Sequence, residues 1–238
     1  MNAKTGRATR RVLALALLLT LAAAPIAPAA APSDDRILPA DQYTSEKARR
    51  LAATHAQALR ELNAAVYHCL PWLEVLKQSI GFFRPKCALH DERYLSMRVY
   101  IEQDPSKKFD AMRVEERASA MFSRYVGPLL RRMGASRAVM ADPSLDGFTV
   151  ILEWQKQAAR VNGDRPVHET AAIFIRKSTA AEFLAGRTPI GQLAEGSRVL
   201  AWDGETALGQ LKLTAWDDNF VATYKVANYE VEKGVSCR

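Results

Sequence analysis

The sequence predicts an α+β fold, an antiparallel sheet packed on helices, and three observations carry that prediction. Leu95, Met97, Val99 and Ile101 alternate with Ser96, Arg98, Tyr100 and Glu102, the period of two that a half-buried strand requires. From Lys107 to Met133 the period lengthens, and Phe109, Met112, Ala118, Met121, Phe122, Tyr125, Leu129 and Met133 mark one helical face. Residues 148–157 and 167–177 then return to strand character on either side of Asn162-Gly163, a dipeptide suited to a primed hairpin turn.

The amino end comes first in chain order. Lys4, Arg7, Arg10 and Arg11 precede an apolar run over residues 12–24, which is followed by Ala27-Pro28-Ala29-Ala30-Ala31. A basic start, a short hydrophobic stretch and an A-x-A site describe a secretory signal peptide over residues 1–29, with cleavage expected after Ala29. The run is shorter than the roughly 20 residues a spanning helix needs, and Pro25 and Pro28 close it. The expected localisation is therefore periplasmic or secreted, with no membrane span after cleavage.

Export changes the charge argument. The chain carries 33 Lys and Arg against 26 Asp and Glu, and the segment to be removed holds four of the cations and none of the acids. That leaves 29 cations against 26 anions, or +3, and adjacent basic residues, such as Arg131-Arg132, never exceed two in a row. No basic run is long enough for a nucleic-acid footprint, so no nucleic-acid partner is expected.

Residues 30–42 read as a Pro- and Ala-rich linker, 43–92 as an N-terminal helical segment and 93–238 as the α+β domain. Thr44 or Ser45 can cap the first helix, along which Leu51, His55, Leu59, Leu62, Val66 and Cys69 form one stripe up to Pro71. A second short helix is expected over residues 72–78, stopped by Gly81. Trp72, Leu73, Val75, Leu76, Ile80, Phe82 and Phe83 around it need a partner surface. Pro128 should kink the long helix, and Gly134 should stop it. Thr179-Ala-Ala-Glu182 has the form of a capping box, and Pro189 can open a short continuation. Residues 199–202, 208–216 and 220–229 read as closing strands, the last two as a C-terminal hairpin. Residues 94–202 thus spell β-α-β-β-α-β, the order of a ferredoxin-like split fold. A curved antiparallel sheet wrapped on the long helix would give much the same string.

Cys69, Cys87 and Cys237 are three thiols, an odd number for an oxidising compartment. A Cys69–Cys87 bridge is the leading expectation, because it would staple the apolar stretch between them; a bridge from Cys237 to either one is the alternative. His68, Cys69, Cys87 and His90 nominally make a tetrahedral set, but His68 and Cys69 diverge by about 100° on a helix. No metal and no cofactor is expected. His168 and Glu169, being adjacent on a strand, should point to opposite faces and so form no dyad.

The surface with most chemical content is the sheet face turned away from the helices. If Leu95 and its partners face inward, Arg98, Tyr100 and Glu102 face out. Thr149, Ile151, Glu153 and Gln155 join them from the second strand, and Thr170, Ala172, Phe174 and Arg176 from the third. Arg98, Tyr100, Glu102, Glu153, Phe174 and Arg176 are the candidate ligand-binding residues. Their composition resembles the stacking platform of RNA-binding folds, but export and the small net charge argue against RNA. The simplest expectation is that the helical segment or the C-terminal hairpin covers this face. The chain carries none of the common catalytic or nucleotide-binding motifs. The leading functional expectation is an exported, non-catalytic binding or accessory protein of the cell envelope with a protein or small-molecule partner. The alternatives are a hydrolase working through Glu102, Glu153, Arg98 or Arg176, and a metal or redox protein built on 68–90.

Overall fold

A computed structural model of the chain describes residues 32–86, 88–101, 109, 111–155, 167–215 and 237. Ser45 caps α1 (Glu46–Thr54), its hydroxyl accepting from the Ala48 N–H at 3.4 Å. The single helix expected up to Pro71 is broken at His55, with α2 running over Ala56–Cys69. The His55 side chain is buried, and its Nε2 lies 2.8 Å from Asp142 Oδ2. Burial raises the pKa of Asp142, but the His55 contact and the Ser144 N–H outweigh it and hold the carboxyl below its ordinary range. Leu51, Leu59, Leu62 and Val66 are buried as the stripe requires.

Residues 72–78 are not a helix. Leu73–Val75 (β1) and Gly81–Phe83 (β2) are two short strands that both pair antiparallel with the same edge of β3 (Tyr94–Ile101). The side chains decide this: Leu73 and Val75 are buried while Glu74 between them is exposed, a period of two that a helix cannot bury. The break between the strands contains Gln78 at φ 52, and the chain from Asp35 to Leu38 closes over it. Gln78 N–H donates to Asp35 O, Ser79 and Ile80 N–H to Arg36 O, and Leu38 N–H to Ile80 O.

The long helix is continuous in three parts. An α segment, α3 (Val114–Met121), passes through a π turn at Phe122–Val126 into α4 (Gly127–Met133), which Gly134 caps. Pro128 has no N–H for the carbonyl four residues back, and the wider π turn lies immediately before it. A short helix, α5 (Arg137–Ala141), precedes β4 (Gly147–Gln155). After β5 (His168–Arg176) come α6 (Lys177–Leu184), α7 (Ile190–Glu195), β6 (Arg198–Asp203) and β7 (Thr206–Leu211). Helix α6 starts two residues before Thr179, with Arg176 at the cap position, so the expected capping box is not used. The Asn162-Gly163 turn and the 220–229 strand lie outside the described residues.

The α+β class holds; the finer topology does not. The sheet is mixed, in the order β1-β3-β4-β5-β6-β7 with β2 also on β3. Strands β3 and β4 are parallel direct neighbours joined by the α3–α5 crossover, and the remaining pairs are antiparallel. A ferredoxin-like arrangement would place another strand between β3 and β4, and here the strands from β3 to β7 follow one another in sequence order. The helices lie on one face, where Met97, Val99, Phe148, Val150, Leu152, Ile173, Ile175 and Val199 form one core with residues of α1 to α7.

Two polar features sit in or against that core. Glu169 is 1% exposed and accepts from Arg117 Nε at 2.7 Å, from Arg117 Nη2 at 2.5 Å and from Trp154 Nε1 at 3.0 Å. Cys69, at the end of α2, is bonded to Cys237, whose carbonyl accepts from Arg132 Nη2 of α4 at 2.6 Å. The expected Cys69–Cys87 bridge is thus replaced by the Cys237 alternative, because the fold brings the penultimate residue to the end of α2. Cys87 lies outside the described residues.

Gly147 starts β4 under the ring of Tyr94. A Cβ there would press on the Ile175 carbonyl oxygen and stand 2.6 Å from the Tyr94 ring. Gly147→Ala is therefore expected to destabilise the fold by about 1–3 kcal/mol, since the obstructing atom is backbone and cannot rotate away. Urea unfolding would read this directly, and an unchanged midpoint would refute the close approach.

Candidate functional site

The registers align the outward residues in rows. Arg98 stands opposite Ile151 and Ile151 opposite Ala172; Tyr100 stands opposite Glu153 and Glu153 opposite Thr170. Thr149 pairs with Phe174 and Gly147 with Arg176. Of the six predicted binding residues, Arg98, Tyr100, Glu153, Phe174 and Arg176 therefore share one face. Glu102 lies outside the described residues. The helices of the 43–92 segment do not cover this face, since α1 and α2 pack in the same layer as α3 to α7 on the other side of the sheet; residues 220–229 of the alternative, the C-terminal hairpin, lie outside the described residues.

A short segment crosses the outer face instead. Between β2 and β3 the chain leaves the sheet edge and reaches Trp202 on β6, with Lys86 Nζ 5.6 Å from the indole centroid. From β2 that is four strand spacings, about 19 Å. The segment is braced by Arg84 Nη2 donating to Ala88 O at 2.6 Å and by Ala88 N–H donating to Pro85 O at 3.0 Å. Beneath it lies a groove of about 530 Å³. Phe83, Ile151, Ala172, Phe174 and Trp202 supply apolar surface, Ser96, Thr149 and Thr170 supply polar atoms, and Lys77, Arg84, Lys86 and Arg98 supply charge. None of the described residues lining it is a carboxylate.

Beside the groove is a charge cluster. Glu153 Oε2 accepts from Arg98 Nε at 3.0 Å and Nη2 at 2.5 Å, while its Oε1 is 3.1 Å from His168 Nδ1. The His168 ring packs on Tyr100 with centroids 5.4 Å apart. The Glu153 side chain is 14% exposed and that of His168 35%. An imidazole oriented by a carboxylate is the arrangement of a general base. Here both carboxylate oxygens are already engaged, so Glu153 itself is a holding group. Glu169, the sequence neighbour of His168, is turned into the core as the strand period demands.

Sequence reasoning missed Phe83, Lys86, His168 and Trp202. Phe83 was expected to be buried with Phe82; the alternation of β2 sends Phe82 to the helices and Phe83 into the groove. The other three come together only through register and through the crossing segment. The metal reading loses Cys69, which is bonded to Cys237, while its Cys87 lies outside the described residues; among the described residues no three His, Cys, Asp or Glu side chains stand close enough to hold an ion. Among the described residues no helix is long and apolar enough to cross a membrane. No protein family, no curated protein and no solved structure matches this chain.

Proposed function

We propose that the protein is an exported, non-catalytic binding protein of the cell envelope that holds a small ligand in the groove between the outer sheet face and the segment crossing it. The observation that carries this reading is the groove itself: a cleft within the size range of small-molecule sites, with aromatic and aliphatic walls and a few placed polar atoms. Export is supported by the basic, apolar and A-x-A sequence of residues 1–29, and a disulfide between Cys69 and Cys237 fits an oxidising compartment. Binding is favoured over hydrolysis because the described residues lining the groove include no carboxylate and no histidine that could activate a water.

The test is equilibrium titration with phenylnaphthylamine, a neutral apolar fluorophore. Trp202→Ala is expected to raise its Kd at least fivefold, and Arg60→Ala, on the helical side, to leave it unchanged. Equal affinities in all three proteins would overturn the groove as the binding site.

A further inference from the structure

The groove does not end at Phe174. A second cavity of about 590 Å³ lies on the same face and shares Pro85 and Phe174 with the first, so the two adjoin at those side chains. Their linings differ. Arg176 and Arg198 line the second cavity with Ser197, His90 and Gln210, and Glu92 is the one carboxylate among its described residues. Arg198 stands opposite Phe174, and Arg176 lies two residues further along the same face of β5. That makes the two arginines diagonal cross-strand neighbours, with backbones about 7–8 Å apart. Five other arginines in this fold lie against a carboxylate: Arg93 on Asp91, Arg98 on Glu153, Arg113 on Glu116, Arg117 on Glu169 and Arg187 on Glu182. Arg176 and Arg198 have no hydrogen-bond or ion-pair partner among the described residues.

We infer that the ligand is an amphipathic acid: a free small molecule whose apolar body lies against Phe83, Phe174 and Trp202 and whose anionic group is held by Arg176 and Arg198. This rests on the binding reading above and adds the chemical class. Two adjacent guanidinium groups repel one another, and their planar donor forks match a carboxylate, sulfonate or phosphate. Trp202 and Arg198 are four residues apart on β6, so the body must reach about 13 Å from indole to guanidinium.

The experiment compares phenylnaphthylamine with anilinonaphthalene sulfonate, nearly the same apolar body with and without an anionic group. Both are titrated into the full exported chain, the Arg176→Ala/Arg198→Ala double variant, the Arg176→Lys/Arg198→Lys variant and Trp202→Ala, with thermal melts confirming equal folding. The sulfonate is expected to bind the wild type at least tenfold more tightly than the neutral amine. The double alanine variant is expected to erase that tenfold advantage and leave the amine unchanged. The double lysine variant should keep part of it, and Trp202→Ala should weaken both probes. Unchanged sulfonate affinity in the double alanine variant, with both probes weakened by Trp202→Ala, would overturn the acid-binding inference and leave the groove standing. Loss of both probes to the same extent in the double alanine variant would overturn it too. No effect of Trp202→Ala on either probe would overturn the groove reading itself.

Discussion

Glu169→Leu is expected to destabilise the protein by about 3–5 kcal/mol, the cost of leaving a buried guanidinium without its counter-charge. Arg117 and Glu169 side chains are 6% and 1% exposed, so water cannot replace the lost partner. Arg117→Met should cost a similar amount for the mirror-image reason. The double variant Arg117→Met/Glu169→Leu should recover most of the loss, because the desolvation penalty of both charges vanishes together. It should fall short of the wild type by about 1 kcal/mol or more, since Trp154 Nε1 loses its acceptor inside the core. Urea unfolding of the four proteins gives the coupling. If the two single losses simply add in the double variant, the pair is not the interaction described.

Reduction of the Cys69–Cys237 bridge is the second large effect. The bonded residues are 168 apart in sequence, and in the chain-entropy account closing so long a loop contributes about 5 kcal/mol, against about 3 for the short loop to Cys87. Wild type in reductant, and Cys237→Ser without it, should therefore lose about 3–5 kcal/mol and unfold at the same denaturant concentration. Cys87→Ser should keep the full stability of the oxidised protein. The reverse pattern, with Cys87→Ser costly and Cys237→Ser silent, would return the bridge to Cys87.

Legibility in the sequence followed the range of the interactions. The alternation of residues 95–102 and the apolar stripe of 109–133 are set by burial against one core; they locate β3 to within a residue and the end of the long helix at Met133, whereas its described start, Val114, lies seven residues after the expected Lys107. Residues 72–83 were misread because Leu73, Val75, Ile80 and Phe82 are apolar at spacings compatible with either period; pairing with β3 chose the strand. The outward set on β3, β4 and β5 was readable, since parity alone fixes it. Its partnerships were not. A two-residue loop at Asn162-Gly163 would pair Glu153 with Ala172, whereas β4 and β5 pair Glu153 with Thr170. The two-residue offset preserves every face yet moves His168 to within 3.1 Å of Glu153, which composition could not foretell. Likewise, nothing local says that Lys86 reaches Trp202, a contact between residues 116 positions apart.

The interrupted edge formed by β1 and β2 bears on self-association. A continuous edge strand offers a ladder of unpaired amides to any extended segment of a neighbouring molecule, and that ladder is the usual seed of strand addition and fibril growth. Here the edge is cut at Gln78, and the backbone from Asp35 to Leu38 already takes the amides of Gln78, Ser79 and Ile80. What remains on either side is three residues long. A second chain arriving at this flank finds no template to extend, a protection that matters most to a polypeptide folding in crowded company.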